Sequence, residues 1–210
     1  MTRISIGILP IVSLRIMPNF IGLLDATMKS THVAIREGTT DVLLGLLRAN
    51  TVDVVICNMT IKPKMPGLVY EHIFQDHMCI AVKKTHPLVD KIYLTWSDLS
   101  NYSMILPPEF AITRLAIEDL LINNGVEFTN NYIESLSILS NVGILKQTNA
   151  IGFISQSTAK YFEENDDLVI LPLSLKNVTL DLGVFWLADK KITPSFRSIL
   201  TLLKESVPTD

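Results

Sequence analysis

Cysteine is nearly absent from this sequence: its 210 residues include only Cys57 and Cys79. Each lies inside an apolar run, Val54-Val55-Ile56-Cys57 and Met78-Cys79-Ile80-Ala81-Val82. Two isolated thiols make no disulfide framework, and they lack the clustered spacing of a zinc site. They read as reduced core residues, which suits a cytoplasm. A basic excess is missing too, since 18 Lys and Arg face 21 Asp and Glu for a net charge of -3. A domain that neutralises many phosphates carries a basic face, so this chain is not expected to grip nucleic acid itself. No apolar run approaches the roughly 18 residues of a membrane span. The opening Met1-Thr2-Arg3, followed by Ile4 to Leu9, imitates a short signal peptide. Pro10 breaks that run early, however, and no small-residue cleavage site follows. Fixed-period repeats and low-complexity tracts are also lacking.

What is present is a globular composition, 48% hydrophobic and 19% charged, in a chain long enough for one large domain or two small lobes. Strand-like and helix-like segments alternate from end to end. Ile4 to Leu9 reads as a strand. Leu14, Met17, Phe20, Ile21, Leu24 and Met28 recur at helical spacing. A strand near His32 to Arg36, a helix from Thr39 or Thr40 to about Arg48, and the β-branched strand Val52 to Ile56 complete a β-α-β-α-β opening. That order implies a parallel sheet with right-handed crossovers. Lys62 to Gly67 form a loop. Two strands, Leu68 to Phe74 and Met78 to Lys83, are expected to flank a turn at Gln75-Asp76-His77.

A second α/β unit follows. Its strands are Tyr102 to Leu106, Tyr132 to Glu134 and Ala150 to Ile154. Its helices are Ala111 to Asn123, Leu136 to Lys146, and Ser155 to Phe162. The first of these stops at Asn124-Gly125. Strands near Leu168 to Leu171 and Leu182 to Ala188 lead to a last helix, Pro194 to Glu205, with proline in its first turn. The leftover strand and helix are expected to return to the first unit. Residues 1–73 with 181–210 then form one lobe and 74–180 the other, joined by two crossing strands with a cleft between.

The ordered segments resemble the effector-binding domain of LysR-type transcriptional regulators over nearly the whole chain. They begin with Ile4-Ser5-Ile6-Gly7 leading to Met17-Pro18. The most telling block is Arg36-Glu37-Gly38-Thr39-Thr40-Asp41-Val42-Leu43, continued through Leu46-Leu47 to Asp53-Val54-Val55-Ile56. Then come His86-Pro87-Leu88, Trp96-Ser97-Asp98-Leu99, Ile105-Leu106-Pro107-Pro108 and Ile151-Gly152-Phe153-Ile154-Ser155. The resemblance implies an α/β fold of the type 2 periplasmic-binding-protein kind, with two Rossmann-like lobes. It also implies an N-terminal winged helix-turn-helix and linker helix that this chain does not contain, so the chain reads as a C-terminal domain. The Pro107-Pro108 segment with Ile133-Glu134-Ser135 resembles the branch that serves sugars and aromatic compounds.

Ligands of open α/β sheets sit beyond the carboxyl ends of strands, where helix N-termini present free N–H groups. The first such edge here is Pro10 to Leu14, so Val12, Ser13 and Leu14 are candidate contacts; Ser13 could instead cap its own helix. Of Thr39 and Thr40, one is expected to cap a helix and the other to face ligand. Asn58 and Thr60 follow the third strand, and Asn58 stands where some family members place an arginine. In the second lobe Pro107 and Phe110 offer apolar surface. Arg114 reads either as a carboxylate clamp or as a solvated helix residue. Ser137, Phe153 and Ser155 complete the candidates, with capping the alternative for the serines.

His86-Pro87 is expected to fix a turn. His72 and His77 have no third ligand near them in sequence, so no metal is expected, and no cofactor. The resemblance implies a ligand-gated switch that is not an enzyme, with an effector that is a sugar, an aromatic compound or a weakly anionic metabolite. It further implies a homodimer, tetrameric at full length, contacting DNA only through the missing domain. The resemblance also implies the first and last helices as contacts, with Ile16, Phe20 and Ile199 as candidates that core packing explains nearly as well. The rival reading is a free-standing solute-binding protein of a transporter.

Overall fold

In the computed structural model, which describes residues 2–59, 66–127, 132–175 and 177–207, β3 (Val54–Asn58) is buried on both faces. Val54 and Ile56 pack to one side, and Val55 and Cys57 to the other. This is the two-residue period of a strand covered twice. It belongs to the first of two compact units, Met1–Gln75 with Asp181–Asp210; the second is Asp76–Leu180.

In unit 1, β1 (Thr2–Ile8) runs parallel to β2 (Thr31–Glu37) and to β3. Beyond β3 comes β9 (Thr179–Leu187), antiparallel, with Asn58 opposite Leu182. The strand β4 (Leu68–Lys83) pairs next to β9. Helices α1 (Ile16–Thr27) and α6 (Pro194–Glu205) cover one face, burying Phe20, Leu24, Ile199 and Leu203 against Ile4, Ile6 and Ile56. Helix α2 (Thr40–Arg48) covers the other with Leu43, Leu44 and Leu47. Gly7 allows that approach, because a Cβ there would lie 3.0 Å from Leu43 and 3.1 Å from Val55.

In unit 2, β5 (Met104–Leu106) runs parallel to β6 (Tyr132–Glu134) and to β7 (Ile151–Ser155). The second half of β4 is antiparallel to β7 and to β8 (Leu168–Ile170). Helix α3 (Ile112–Asn123) buries Ile117 and Leu121 on one face. On the other, α4 (Ile138–Gln147) and α5 (Gln156–Glu164) bury Val142, Leu145 and Ala159. Gly152 is the close-approach point, since a Cβ there would meet Leu145 at 2.8 Å.

Three expectations need correction. First, the turn at Gln75-Asp76-His77 does not exist: β4 is one strand of 16 residues. Asp76 is a turn-type residue by sequence, but its carboxylate is also held by the Ser157 amide and hydroxyl of α5 while its backbone stays in the strand. Second, α1 starts at Ile16 rather than Leu14, because Pro10–Val12 wind into a 3₁₀ turn first. Third, Ile16, Phe20 and Ile199 are 3%, 0% and 1% exposed; they are core residues of unit 1 and cannot serve as subunit contacts. The Lys62 to Pro66 part of the expected loop falls almost wholly outside the described residues.

Candidate functional site

The parallel strands of unit 1 end at Ile8, Glu37 and Asn58. After β1, Val12 is fully buried and its N–H bonds to the Leu9 carbonyl at 2.9 Å, so its side chain belongs to the core. Ser13 donates both its amide, at 3.1 Å, and its hydroxyl, at 2.5 Å, to the Pro10 carbonyl. The hydroxyl therefore keeps its lone pairs for another donor, and it does not cap α1. Leu14 is half-buried. Arg15 occupies the N-cap position of α1 without a side-chain cap bond.

Thr39 sits at the N-cap of α2 with extended backbone, φ -78° and ψ 162°, yet its side chain does not accept from the helix. Its hydroxyl donates instead to the Asp41 carboxylate at 2.5 Å. That bond, aided by the amides of Asp41 and Val42, holds the Asp41 carboxyl below its usual value despite slight desolvation. Thr40 is the first helical residue and half-buried. The expected threonine cap is thus not made by either. Asn58 is 2% exposed at the last position of β3. Thr60 lies outside the described residues.

In unit 2 the strand ends are Leu106, Glu134 and Ser155. Pro107 is buried and its carbonyl accepts from Arg114 Nη1 at 2.7 Å. Arg114 is 2% exposed, which overturns the solvated reading. Its Nε donates to Glu118 at 2.6 Å and its Nη1 to Glu134 at 3.0 Å, and the guanidinium lies 4.9 Å from the Tyr132 ring centre. Burial disfavours the charge, but the bonds to Glu118, Tyr132 and Glu134 outweigh it and raise the pKa. The carboxylates that Arg114 clamps are the protein's own. It ties the end of β5 to α3 and β6, with its guanidinium buried and the Glu118 and Glu134 carboxylates 25% and 38% exposed, so solvent screens the carboxylate ends of these pairs.

After β6, the Ser135 amide bonds to the Leu106 carbonyl at 3.1 Å, and Ser137 caps α4 by accepting from the Ser140 amide at 3.3 Å. After β7, Ser155 caps α5 from the Thr158 amide at 3.3 Å and donates to the Thr158 hydroxyl at 2.8 Å. Phe153, expected at the ligand, is 3% exposed and packs with Met78, Ile80 and Ile151 in the core. Alternation along β7 turns it inward.

One residue at this edge escaped the sequence reading. Asp76, 3% exposed, accepts from the Ser157 amide at 3.3 Å and hydroxyl at 2.5 Å, and from the His77 amide at 2.8 Å. Its carboxylate sits at the positive end of α5. A continuous alternation from Leu68 to Lys83 was the available signal, masked by the turn-like triplet Gln75-Asp76-His77.

Two open hollows lie elsewhere. One of about 400 Å³ in unit 1 is lined by Arg48, Asn50, Gly67, Leu187 and Asp189. Another of about 400 Å³ in unit 2 is lined by Tyr102, Ile133, Ile144 and Asn149. Both adjoin the amino ends of the parallel strands, so neither contains a rim candidate. Burial pushes the Cys57 and Cys79 thiols up to about 12, so both stay protonated. Among the described residues no His, Cys, Asp or Glu group is placed to hold a metal, and no helix is long and apolar enough to cross a membrane.

Residues 1–208 match the LysR substrate binding domain. The chain belongs to that family. Its relatives include the HTH-type transcriptional regulator PcaQ of Agrobacterium fabrum, 27% identical over 97% of this chain and 65% of PcaQ. GbpR of Azospirillum brasilense, another HTH-type transcriptional regulator, is 24% identical over 98% of this chain and 60% of its own length. This LysR domain therefore spans about three-fifths to two-thirds of those proteins. Among solved structures, the cofactor-binding domain of the Cbl transcriptional regulator superposes with a TM-score of 0.79 at 16% identity, covering 99% of this chain and 90% of that one. The Synechocystis CcmR regulatory domain in complex with 2-PG gives 0.76 at 18% identity, covering 98% and 97%. These likenesses establish the type 2 periplasmic-binding-protein-like fold. The family is one of transcriptional regulators, and neither it nor these relatives support the solute-binding reading.

Proposed function

We propose that this LysR domain senses a small-molecule effector at the carboxyl ends of its parallel strands, for a regulator that acts in the cytoplasm. The observation that carries the reading is in unit 1. Helix α1 opens beyond β1 with no side-chain cap bond from its N-cap residue, and α2 opens beyond β2 with the Thr39 hydroxyl turned to the Asp41 carboxylate. Ser13 follows the 3₁₀ turn after β1, Thr39 and Thr40 open α2, and Asn58 ends β3. Uncapped helix starts leave donors for a ligand to satisfy. In unit 2, taken by itself, the Pro107 segment follows β5 and Ser137 caps α4, while Ser155 caps α5 and Arg114 holds the frame.

The domain performs no chemistry in this reading. Effector binding favours one arrangement of the domain, and typical couplings of about 1–3 kcal/mol suffice to change how subunits pack. In the full-length regulator a winged helix-turn-helix outside this chain contacts DNA. The domains pair as dimers and assemble into tetramers. The test is a ligand-induced melting screen of sugars, aromatic acids and amino acids. The expected result is a hit whose stabilisation falls about tenfold in apparent affinity with Ser13→Ala and with Thr39→Ala. A hit indifferent to both substitutions sinks the rim assignment.

A further inference from the structure

Helix α4 begins at the carboxyl edge of unit 2, and the first four amides of a helix have no partner within it. Two of the four are met locally. The Asn141 amide donates to the Ser137 carbonyl at 2.9 Å, and the Ser140 amide to the Ser137 hydroxyl at 3.3 Å. Among the described residues nothing accepts from the other two, those of Ile138 and Leu139. A buried acceptor lies at the same end. Asn141 is 6% exposed, and its Nδ2 donates to the Ser135 carbonyl at 3.4 Å. A carbonyl oxygen can only accept, so it fixes the carboxamide with Nδ2 toward Ser135. Oδ1 is left buried, with no donor among the described residues. Native structures rarely leave an acceptor so, because it loses water and gains nothing in return. Helical side chains lean toward the N-terminus, which sets this carboxamide beside the segment that enters α4.

Charge and chemistry then choose between ligand classes. Arg114, the buried cation of this edge, is already matched by Glu118 and Glu134. A carboxylate or sulfate would arrive with no cation left to balance it, and with no hydrogen to give Asn141. An ammonium group could donate, but it would exchange its water for a single amide oxygen, which is costly for a charge. A neutral hydroxyl donates and accepts at once. Leu136 and Leu139, on either side of Ser137 in the chain, are 37% and 80% exposed. Apolar side chains therefore flank the polar groups.

We infer that the start of α4 binds a neutral hydroxyl on an apolar body, of the phenol class. The hydroxyl donates to Asn141 Oδ1 and accepts from the Ile138 or Leu139 amide. The inference rests on the effector-site reading above and names the chemistry of its unit 2 part alone; it uses no group of unit 1. The experiment is an NMR titration of the isotope-labelled 210-residue chain with phenol, fluorobenzene and benzoate. Its signals are the Asn141 side-chain amide and the Ile138 and Leu139 backbone amides. Phenol is expected to shift the Asn141 signals together with at least one of the backbone amides. Fluorobenzene keeps the ring and its size but has no hydrogen to donate, so it is expected to bind at least about tenfold more weakly, and benzoate likewise. Asn141→Leu is expected to weaken phenol about tenfold without weakening fluorobenzene. The titration of the unsubstituted chain decides the matter even where that variant does not fold. Asn141 signals that ignore phenol mean that water meets the acceptor, and the subsite is overturned. Fluorobenzene or benzoate binding as tightly as phenol overturns the hydroxyl. Neither result touches the unit 1 assignment, which fails only when a melting-screen hit ignores Ser13→Ala and Thr39→Ala.

Discussion

Lys190 Nζ lies 2.7 Å from Asp53 Oδ1, and the other oxygen of that carboxylate accepts from the Ser5 amide at 2.7 Å. Asp53 thus continues the β1 ladder one residue before β3 begins, and Lys190 holds it from the segment after β9. The two contacts have different weight. The amide bond is partly buried, whereas the ion pair is between side chains 24% and 32% exposed, so solvent screens it. Asp53→Ala is expected to lower the unfolding free energy by about 1–3 kcal/mol, and Lys190→Ala by less than about 1 kcal/mol. Urea titration of both variants measures this. Equal losses would show that the ion pair, not the amide bond, is what Asp53 supplies.

His86 gives unit 2 a pH-dependent joint. Its ring is 1% exposed, with Nε2 3.0 Å from the Asn149 carbonyl and Nδ1 accepting from the Leu88 amide at 3.1 Å. The neutral tautomer with the proton on Nε2 satisfies both contacts, and the Tyr102 ring packs beside it at 4.5 Å. Burial, joined by nearby Lys83, holds its pKa below the ordinary value of 6.5 against the upward pull of the Asn149 carbonyl. The unfolded chain therefore binds the proton more readily than the folded one. The contribution is complete above pH 6.5 and is lost as pH falls through the folded value. His86→Gln, which has no such titration, is expected to flatten the decline in urea midpoint between about pH 7 and pH 5. An unchanged slope in the variant would assign the acid sensitivity to other groups.

Most of the fold was legible because its faces are strongly patterned. Val54 to Cys57 alternate into two cores, and Pro194 and Gly125 punctuate helices where local rules put them. The site was less legible, for a physical reason. A serine beside a helix start reads the same whether it caps or waits for a ligand. Only coordinates separate Ser137 and Ser155, which cap, from Ser13, which does not. Position along a strand misled at Phe153, since being near a strand end does not decide which face a side chain takes. Arg114 and Asp76 needed long-range information: Glu134 is 20 residues from the first and Ser157 is 81 from the second.

Helix α3 carries an outward apolar stripe that the core does not explain. Ile112, Leu115 and Ile122 are 46%, 70% and 63% exposed, while Ile117 and Leu121 face inward. Exposed apolar side chains on one helix, here with Glu118 and Asp119 between Leu115 and Ile122, form a surface that a partner can cover, and the candidates first chosen for subunit contact are buried in unit 1. We therefore assign the proposed homodimer contact to this stripe. Leu115→Glu with Ile122→Glu is expected to weaken self-association by about tenfold or more, because each charge would be desolvated in the interface. The same pair should change monomer stability by no more than about 0.5 kcal/mol per site, as exposed substitutions do. Sedimentation equilibrium across protein concentration, alongside urea titration, separates the two effects. Wild-type association that survives both substitutions would move the interface off α3, and a loss of folding in the variant would mean that the stripe is packed within the chain after all.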